Sequence, residues 1–85
     1  MSTSASTLDK VRAFIFSTYP VADASIVTDE ASLPDLGVID STGYLELFDW
    51  LQAEFGVEVL DAEMSTENFE TITRIAEFIT RKLAR

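Results

Sequence analysis

The chain has 85 residues and a formal net charge of −9, which arises from 15 acidic and 6 basic side chains. This length allows one modest core, and an apolar content of 47% predicts that residues 1–85 form a single domain with a flexible tail at 1–5. Cysteine and histidine are absent, which excludes disulfide frameworks, thiolate nucleophiles, Ser-His triads and the commonest metal ligands.

The N-terminus carries no recognisable targeting signal. The Ser/Thr-rich segment 1–7 has no basic region and is therefore not typical of a signal peptide. The sequence also contains no apolar run of about 18 residues, the length that a membrane span needs. We therefore expect a soluble cytoplasmic protein that makes no contact with a membrane.

The first predicted helix covers about 7–18, with Ser6 or Thr7 as its cap. Its apolar residues recur at helical spacing, and they are Leu8, Val11, Phe14 and Ile15. The helix is expected to end at Tyr19, because Pro20 disfavours helical geometry in the residue before it.

A long connection follows at 21–39, and two interpretations of it compete. A strand at 25–28 would have no partner strand elsewhere in the sequence, so we favour a crossover loop. In this interpretation apolar side chains pin the loop to a helical bundle; they are Val21, Ile26, Val27, Leu33, Leu36, Val38 and Ile39. Gly37 is expected to supply a positive φ before the next helix.

The second predicted helix covers 41–55 and stops at Gly56, a residue that readily takes the left-handed conformation. Its apolar stripe, which we expect to be buried, consists of Tyr44, Leu47, Phe48, Leu51 and Phe55. The opposite face carries Thr42, Leu45, Glu46, Asp49 and Ala53, with Trp50 on the flank.

The remaining sequence predicts an extended segment and a turn at 57–64, then a short helix at 66–69 capped by Ser65 or Thr66. A last helix is predicted at 71–84. Its apolar residues are Ile72, Ile75, Ala76, Phe78, Ile79 and Leu83. Three long helices and one short helix, each with a single apolar stripe, predict an all-α fold: a small antiparallel bundle with a long first connection.

Charge is distributed unevenly along the chain. Between Ala13 and Thr73 there is no lysine or arginine, whereas carboxylates recur throughout. On the second helix, Glu46, Asp49 and Glu54 are expected to have no compensating base. Such a surface repels nucleic acid and anionic membranes and attracts basic protein surfaces. Solubility alone is the simpler explanation of the charge.

The start of the second helix carries the strongest candidate site. Asp40 can accept hydrogen bonds from the first unpaired N–H groups of the helix. Ser41 then lies in the first turn with an exposed hydroxyl, where a phosphate ester would sit near the positive end of the helix dipole. A capping serine without any covalent role is the ordinary interpretation of this pair alone.

Three stretches together carry a family resemblance. Leu36–Leu47, which is LGVIDSTGYLEL, resembles the prosthetic-group site of the acyl carrier protein family, and Glu54–Val59 and Ser65–Ile72 fit the same family. The likeness spans residues 8–83. It is greatest to small freestanding carriers, including D-alanyl and aminoacyl carriers, where a glycine commonly follows the serine by two positions. Thr42 departs from the Leu or Met that often follows the serine.

The resemblance implies a covalent shuttle that is not itself an enzyme. Ser41 would bear 4′-phosphopantetheine, transferred from coenzyme A by a phosphopantetheinyl transferase, and Asp40 would help that transferase to engage. The arm would hold an acyl or aminoacyl group as a thioester. An amino acid or another small polar acid is the expected cargo, with longer fatty chains as the second choice. An adenylate-forming or synthetase-like ligase would load it, and a downstream enzyme would accept the group.

The resemblance also implies a docking face. Partner enzymes would contact Thr42, Leu45, Glu46 and Asp49 on the second helix, with Leu45 as the apolar centre. A lone exposed leucine is otherwise ordinary. A small carrier domain is expected to stand alone rather than within a large synthase.

Two other functions were weighed from the residues. Carboxylate pairs at Asp61/Glu63 and at Glu67/Glu70 fail the calcium-loop pattern and are expected to be a solvated acidic surface, so no metal or catalytic site is predicted. A non-covalent acidic adaptor or nucleic-acid mimic that binds a basic partner surface is the alternative function. It explains the charge but does not require Ser41.

Overall fold

A computed structural model of the protein describes residues 5–21 and 23–84. Its helices are α1 (Ala5–Thr18), α2 (Ser41–Phe55), α3 (Thr66–Phe69) and α4 (Ile72–Leu83), with 3₁₀ turns at Ala24–Ile26 and Asp61–Glu63. The described residues contain no strand, so the all-α prediction is confirmed. No described helix has the length and apolar character that a membrane crossing requires.

Contacts at both ends of α1 fix the helix directions. Lys10, near the start of α1, forms an ion pair with Glu54 at the end of α2, at 3.4 Å. Tyr19, which follows α1, donates a hydrogen bond to the carbonyl of Gly43 near the start of α2. The end of α2 also lies near the end of α4, where Gly56 and Leu83 line the same surface depression. Thus α1 runs antiparallel to both α2 and α4.

The core lies where the apolar stripes of the helices meet. Phe69 of α3 packs between Phe48 of α2 and Phe78 of α4, with ring centroids 4.9 Å away on each side. The largest fully buried aliphatic side chains of the described residues are Val11, Ile15, Val27, Leu33, Ile39, Leu47, Leu51, Ile72, Ile75 and Ile79. Leu83 was predicted to belong to the α4 stripe, but it is 54% exposed because it lies in the last turn, beyond the packed part of the helix.

The first connection is a crossover loop, as favoured over a strand. Backbone hydrogen bonds attach it to the second half of the chain: the N–H of Leu33 donates to Glu70 and the N–H of Thr73 donates to Asp29. Arg12 of α1 forms an ion pair with Asp29. These polar contacts were not predicted, and they hold the loop together with its apolar residues.

Burial in this loop is only partly as predicted. Val27, Leu33, Val38 and Ile39 are buried, whereas Ile26 and Leu36 are exposed and were wrongly expected to pin the loop. Both exposed residues lie in local turns. These turns hold their own backbone hydrogen bonds, so their side chains need not reach the core.

The capping predictions differ in outcome among the helices. Helix α1 begins at Ala5, so Ser6 and Thr7 lie within its first turn and do not occupy the cap position. Of the predicted tail at 1–5, residues 1–4 lie outside the described residues, and Ala5 belongs to α1 instead of the tail. Ser65 occupies the cap position of α3 but makes no side-chain capping bond. Helix α4 begins after Thr71, whose hydroxyl accepts from the N–H of Arg74.

Candidate functional site

The first turn of α2 is capped by the residue that precedes it. Asp40 is extended, and its Oδ1 accepts a hydrogen bond from the N–H of Gly43 at 2.8 Å. The carbonyl of Asp40 accepts from the N–H of Tyr44 at 3.0 Å, which continues the helix. Gly37 (φ 74°) precedes this turn and Gly56 (φ 68°) ends the helix, as their sequence positions predicted. Local residues therefore set both ends of α2.

Ser41 is the first residue of α2, and its side chain is exposed. Within the described parts of the chain its hydroxyl has no hydrogen-bond partner, and the N–H groups of Ser41 and Thr42 have none either. Unpaired N–H groups at a helix start carry a partial positive charge and favour an anion. The site thus presents a free hydroxyl beside two free donors.

Tyr19 packs against this turn from the end of α1. Its hydroxyl donates to the carbonyl of Gly43 at 2.6 Å, and only 8% of the residue surface is exposed. A Cβ atom at Gly43 would lie 3.0 Å from Tyr19 Cε1 and 3.1 Å from Ile39 Cγ2. A side chain here would crowd Tyr19 and Ile39, which would have to shift by a few tenths of an ångström. Glycine therefore suits this close packing, a role that was not predicted from the sequence.

The outer face of α2 lies beside Ser41. Thr42, Leu45, Glu46 and Asp49 are all exposed, and Leu45 is 61% exposed. Glu54, expected to have no compensating base, is instead paired with Lys10 at 3.4 Å. The antiparallel arrangement of α1 and α2 brings these two residues together, although 44 positions separate them in sequence. Among the described residues, the acidic side chains of α2 that have no ion-pair partner are therefore Glu46 and Asp49.

A small cavity lies on the inner side of α2. Its volume is about 140 Å³, and it is lined by Tyr44, Phe48, Met64, Ser65 and Thr66. The hydroxyl of Tyr44 donates to the carbonyl of Phe69 at 2.8 Å. Burial and the nearby carboxylate of Glu70 raise the pKa of Tyr44 to about 12, so the hydroxyl stays protonated as a donor.

The segment 63–68, part of which lines this cavity, is held to α4 by polar contacts. Lys82 forms an ion pair with Glu63 at 3.0 Å. Arg81 donates to the side chain of Asn68 at 3.2 Å, and the Asn68 amide donates to the carbonyl of Glu63 at 2.9 Å. The predicted solvated acidic surface is therefore partly paired around Glu63. No group of three potential metal ligands occurs among the residues that the structure describes.

Comparison with known proteins finds similarity both to a curated protein and to solved structures. The chain is 34% identical over 77 residues to an acyl carrier protein of Thermosynechococcus vestitus, and the match covers 91% of each protein. It is also similar to a chain in a crystal structure titled as an FAD-dependent dehydrogenase, with a TM-score of 0.71 and 25% identity. That match covers 81% of this chain and 97% of the other. No family model matches.

Proposed function

The chain belongs to the acyl carrier protein family, and on that premise we propose that it carries acyl or aminoacyl groups on a 4′-phosphopantetheine arm attached to Ser41. The observation that carries this proposal is the position of Ser41. Its hydroxyl is exposed and has no partner among the described residues, and it follows directly after the capping carboxylate of Asp40.

The residues at the start of α2 fit a phosphodiester. The anion on Ser41 would lie beside the N–H groups of Ser41 and Thr42 and at the positive end of the α2 dipole. Asp40 is the only acidic residue adjacent to Ser41 in sequence. One oxygen of its carboxylate, Oδ1, accepts a hydrogen bond from the N–H of Gly43. When bound, the group supplies a terminal thiol that holds the cargo as a thioester.

Attachment to Ser41 requires chemistry that this chain does not supply. The oxygen of Ser41 must form a new bond to the phosphorus that bears pantetheine, while the pyrophosphate bond of coenzyme A breaks and adenosine 3′,5′-bisphosphate leaves. The proton of the serine hydroxyl must go to a base. The described residues place no base within hydrogen-bond distance of the hydroxyl. We therefore propose that a phosphopantetheinyl transferase provides the base and the metal, and that this chain is not itself an enzyme.

We propose that the outer face of α2 docks the partner enzymes. Leu45 provides an exposed apolar centre, and Glu46 and Asp49 provide an acidic rim beside Ser41. A partner with a basic rim and an apolar pocket would complement this face. The proposed partners are the transferase, an adenylate-forming or synthetase-like ligase, and a downstream acceptor enzyme.

An amino acid or another small acid is the proposed cargo. The cavity behind α2 has a volume of about 140 Å³, and the side chains of Tyr44 and Phe48 line it. A long fatty chain would have to displace these side chains to enter the bundle.

The likeness to a chain in the dehydrogenase crystal structure supports the fold, and we propose no redox activity from it. The cytoplasmic location stays a prediction.

Intact mass spectrometry tests the proposed function. The protein is incubated with coenzyme A, magnesium and a broad-specificity phosphopantetheinyl transferase. We expect one added arm on the parent protein and on Thr42→Ala, a control that removes the neighbouring hydroxyl. Ser41→Ala should fold and gain no mass.

Two outcomes would contradict the carrier function. Arm addition to Ser41→Ala would show that the attachment site is wrong. A folded parent protein that gains no mass would favour the alternative, a non-covalent acidic adaptor or nucleic-acid mimic. The net charge of −9 suits that alternative equally well.

A further inference from the structure

Tyr19 joins the end of α1 to the turn that presents Ser41. Its ring lies close to Gly43, since a Cβ atom at position 43 would be 3.0 Å from Tyr19 Cε1. Its hydroxyl bonds to the carbonyl of Gly43, a residue 24 positions away in sequence. Tyr19 therefore both packs against Gly43 and donates a hydrogen bond to its carbonyl.

Both peptide groups of Gly43 are engaged by side chains. The N–H donates to Asp40 at 2.8 Å, and the carbonyl accepts from Tyr19 at 2.6 Å. Glycine has the greatest backbone freedom of any residue and weakens a helix. In the first turn of α2, the hydrogen bonds to Asp40 and Tyr19 both restrict the backbone of Gly43.

The phenol is suited to a lasting hydrogen bond. Burial, and to a smaller extent the charge of Glu46, raise the pKa of Tyr19 to about 12. The hydroxyl therefore stays protonated and able to donate at neutral pH. Phe14 packs edge-on against the Tyr19 ring, with centroids 5.9 Å apart, and limits its movement.

We propose that Tyr19 is a positioning residue for the modification of Ser41, acting through Gly43 to hold the first turn of α2 in the conformation that the transferase requires. The inference rests on the proposed function of Ser41. The Ser41 hydroxyl has no partner of its own in the described structure, so only the backbone of this turn fixes where its Cβ lies, while the side chain can rotate. A looser turn would lower the fraction of bound complexes in which the serine oxygen is aligned for attack.

The test compares two variants that each lose one phenol hydroxyl engaged in a hydrogen bond to a backbone carbonyl. Tyr19→Phe keeps the ring and removes the bond to Gly43. Tyr44→Phe is the matched control, because its hydroxyl bonds to Phe69 at 2.8 Å and not to the first turn of α2. For each variant we would measure kcat and KM of arm transfer, the melting temperature, and amide hydrogen exchange at Gly43 and Tyr44, whose N–H groups are bonded in the unmodified protein.

We expect Tyr19→Phe to lower kcat by about three- to tenfold, which is what the loss of one hydrogen bond can produce, with KM little changed. Exchange in the first turn of α2 should accelerate in this variant. Tyr44→Phe should lose similar thermal stability and keep a kcat near that of the parent. A Tyr19→Phe protein with the parent's kcat would overturn the inference, as would an equal fall in kcat for both variants.

A second pair of variants tests the packing. Gly43→Ala should slow modification because its Cβ meets the Tyr19 ring. In a Tyr19→Ala background the same substitution should have a smaller effect, and equal effects in both backgrounds would contradict the proposed contact. A parent protein that accepts no arm would remove the proposed function itself, whereas a modified parent with unaffected variants removes only this inference.

Discussion

The two faces of α2 differ in what they do for the molecule. On the inner face, Leu47 and Leu51 are fully buried and Phe48 is 9% exposed. On the outer face, Leu45 is 61% exposed beside the acidic side chains of Glu46 and Asp49. A single helix thus stabilises the bundle with one side and carries the proposed docking face on the other. Substitutions on the two faces should therefore change different measurable quantities.

Truncating leucines on the two faces should give the largest contrast. Leu51→Ala leaves a cavity in the core and should lower the free energy of unfolding by roughly 2–5 kcal/mol, and Phe48→Ala should do the same. Leu45→Ala removes an exposed side chain and should change it by less than about 0.5 kcal/mol. Urea unfolding followed by circular dichroism measures all three variants.

One result would contradict this contrast between the two faces of α2. In a domain of 85 residues, a loss of this size can unfold the chain, so the melting temperature of Leu51→Ala is the first measurement. Equal stability of Leu51→Ala and Leu45→Ala would show that the two faces of α2 are not divided as described.

The second prediction reverses charge on the outer face. Glu46→Lys combined with Asp49→Lys should slow loading by the cognate ligase several-fold at low salt, because opposite charges accelerate encounter. Glu58→Lys with Asp61→Lys is the matched control, since these exposed residues change the net charge equally at another site. The measurement is the initial loading rate against ionic strength, with unfolding curves for each variant.

Screening should reduce this difference. At about 0.1 M salt, exposed charges are screened over about 10 Å, so the parent and the outer-face variant should converge. If the outer-face variant loads as fast as the parent at low salt, this face does not dock the ligase and its acidity serves solubility. If the control is slowed equally, net charge matters and its position does not.

The bounds of α2 could be predicted from sequence because local residues set them. Asp40 caps the first turn by a hydrogen bond to Gly43, only three positions away, and Gly56 takes the left-handed conformation that ends the helix. The apolar stripe of α2 was likewise predictable, since helical spacing alone identifies the side that must be buried.

The contacts that join α1 and Tyr19 to α2 could not be predicted in this way. Tyr19 was interpreted only as the residue before a proline, because its partner at Gly43 becomes visible only when α1 and α2 are packed together. The pairing of Lys10 with Glu54 depends on the same packing. Periodicity and capping rules describe neighbours in sequence and contain no information on such pairs.

The smallest expected effect concerns the inner face after loading. Acyl groups of increasing length on the arm should shift amide signals near Ser41 and leave those of Phe48 and Leu51 almost unchanged, because the cavity behind α2 measures about 140 Å³. Heteronuclear spectra of the loaded forms measure this. Core shifts that grow with chain length would mean that the bundle opens to its cargo and that the small-cargo proposal is wrong.

The stacking of Trp50 on Phe14 gives the molecule an internal optical reporter. Trp50 is the only tryptophan of the chain, and its ring lies parallel to that of Phe14 at 4.3 Å, across the junction of α1 and α2. Separation of these helices breaks the stack and exposes the indole to water even where helix content is preserved. Its fluorescence would therefore distinguish an unpacked helical intermediate from the native bundle without an added label.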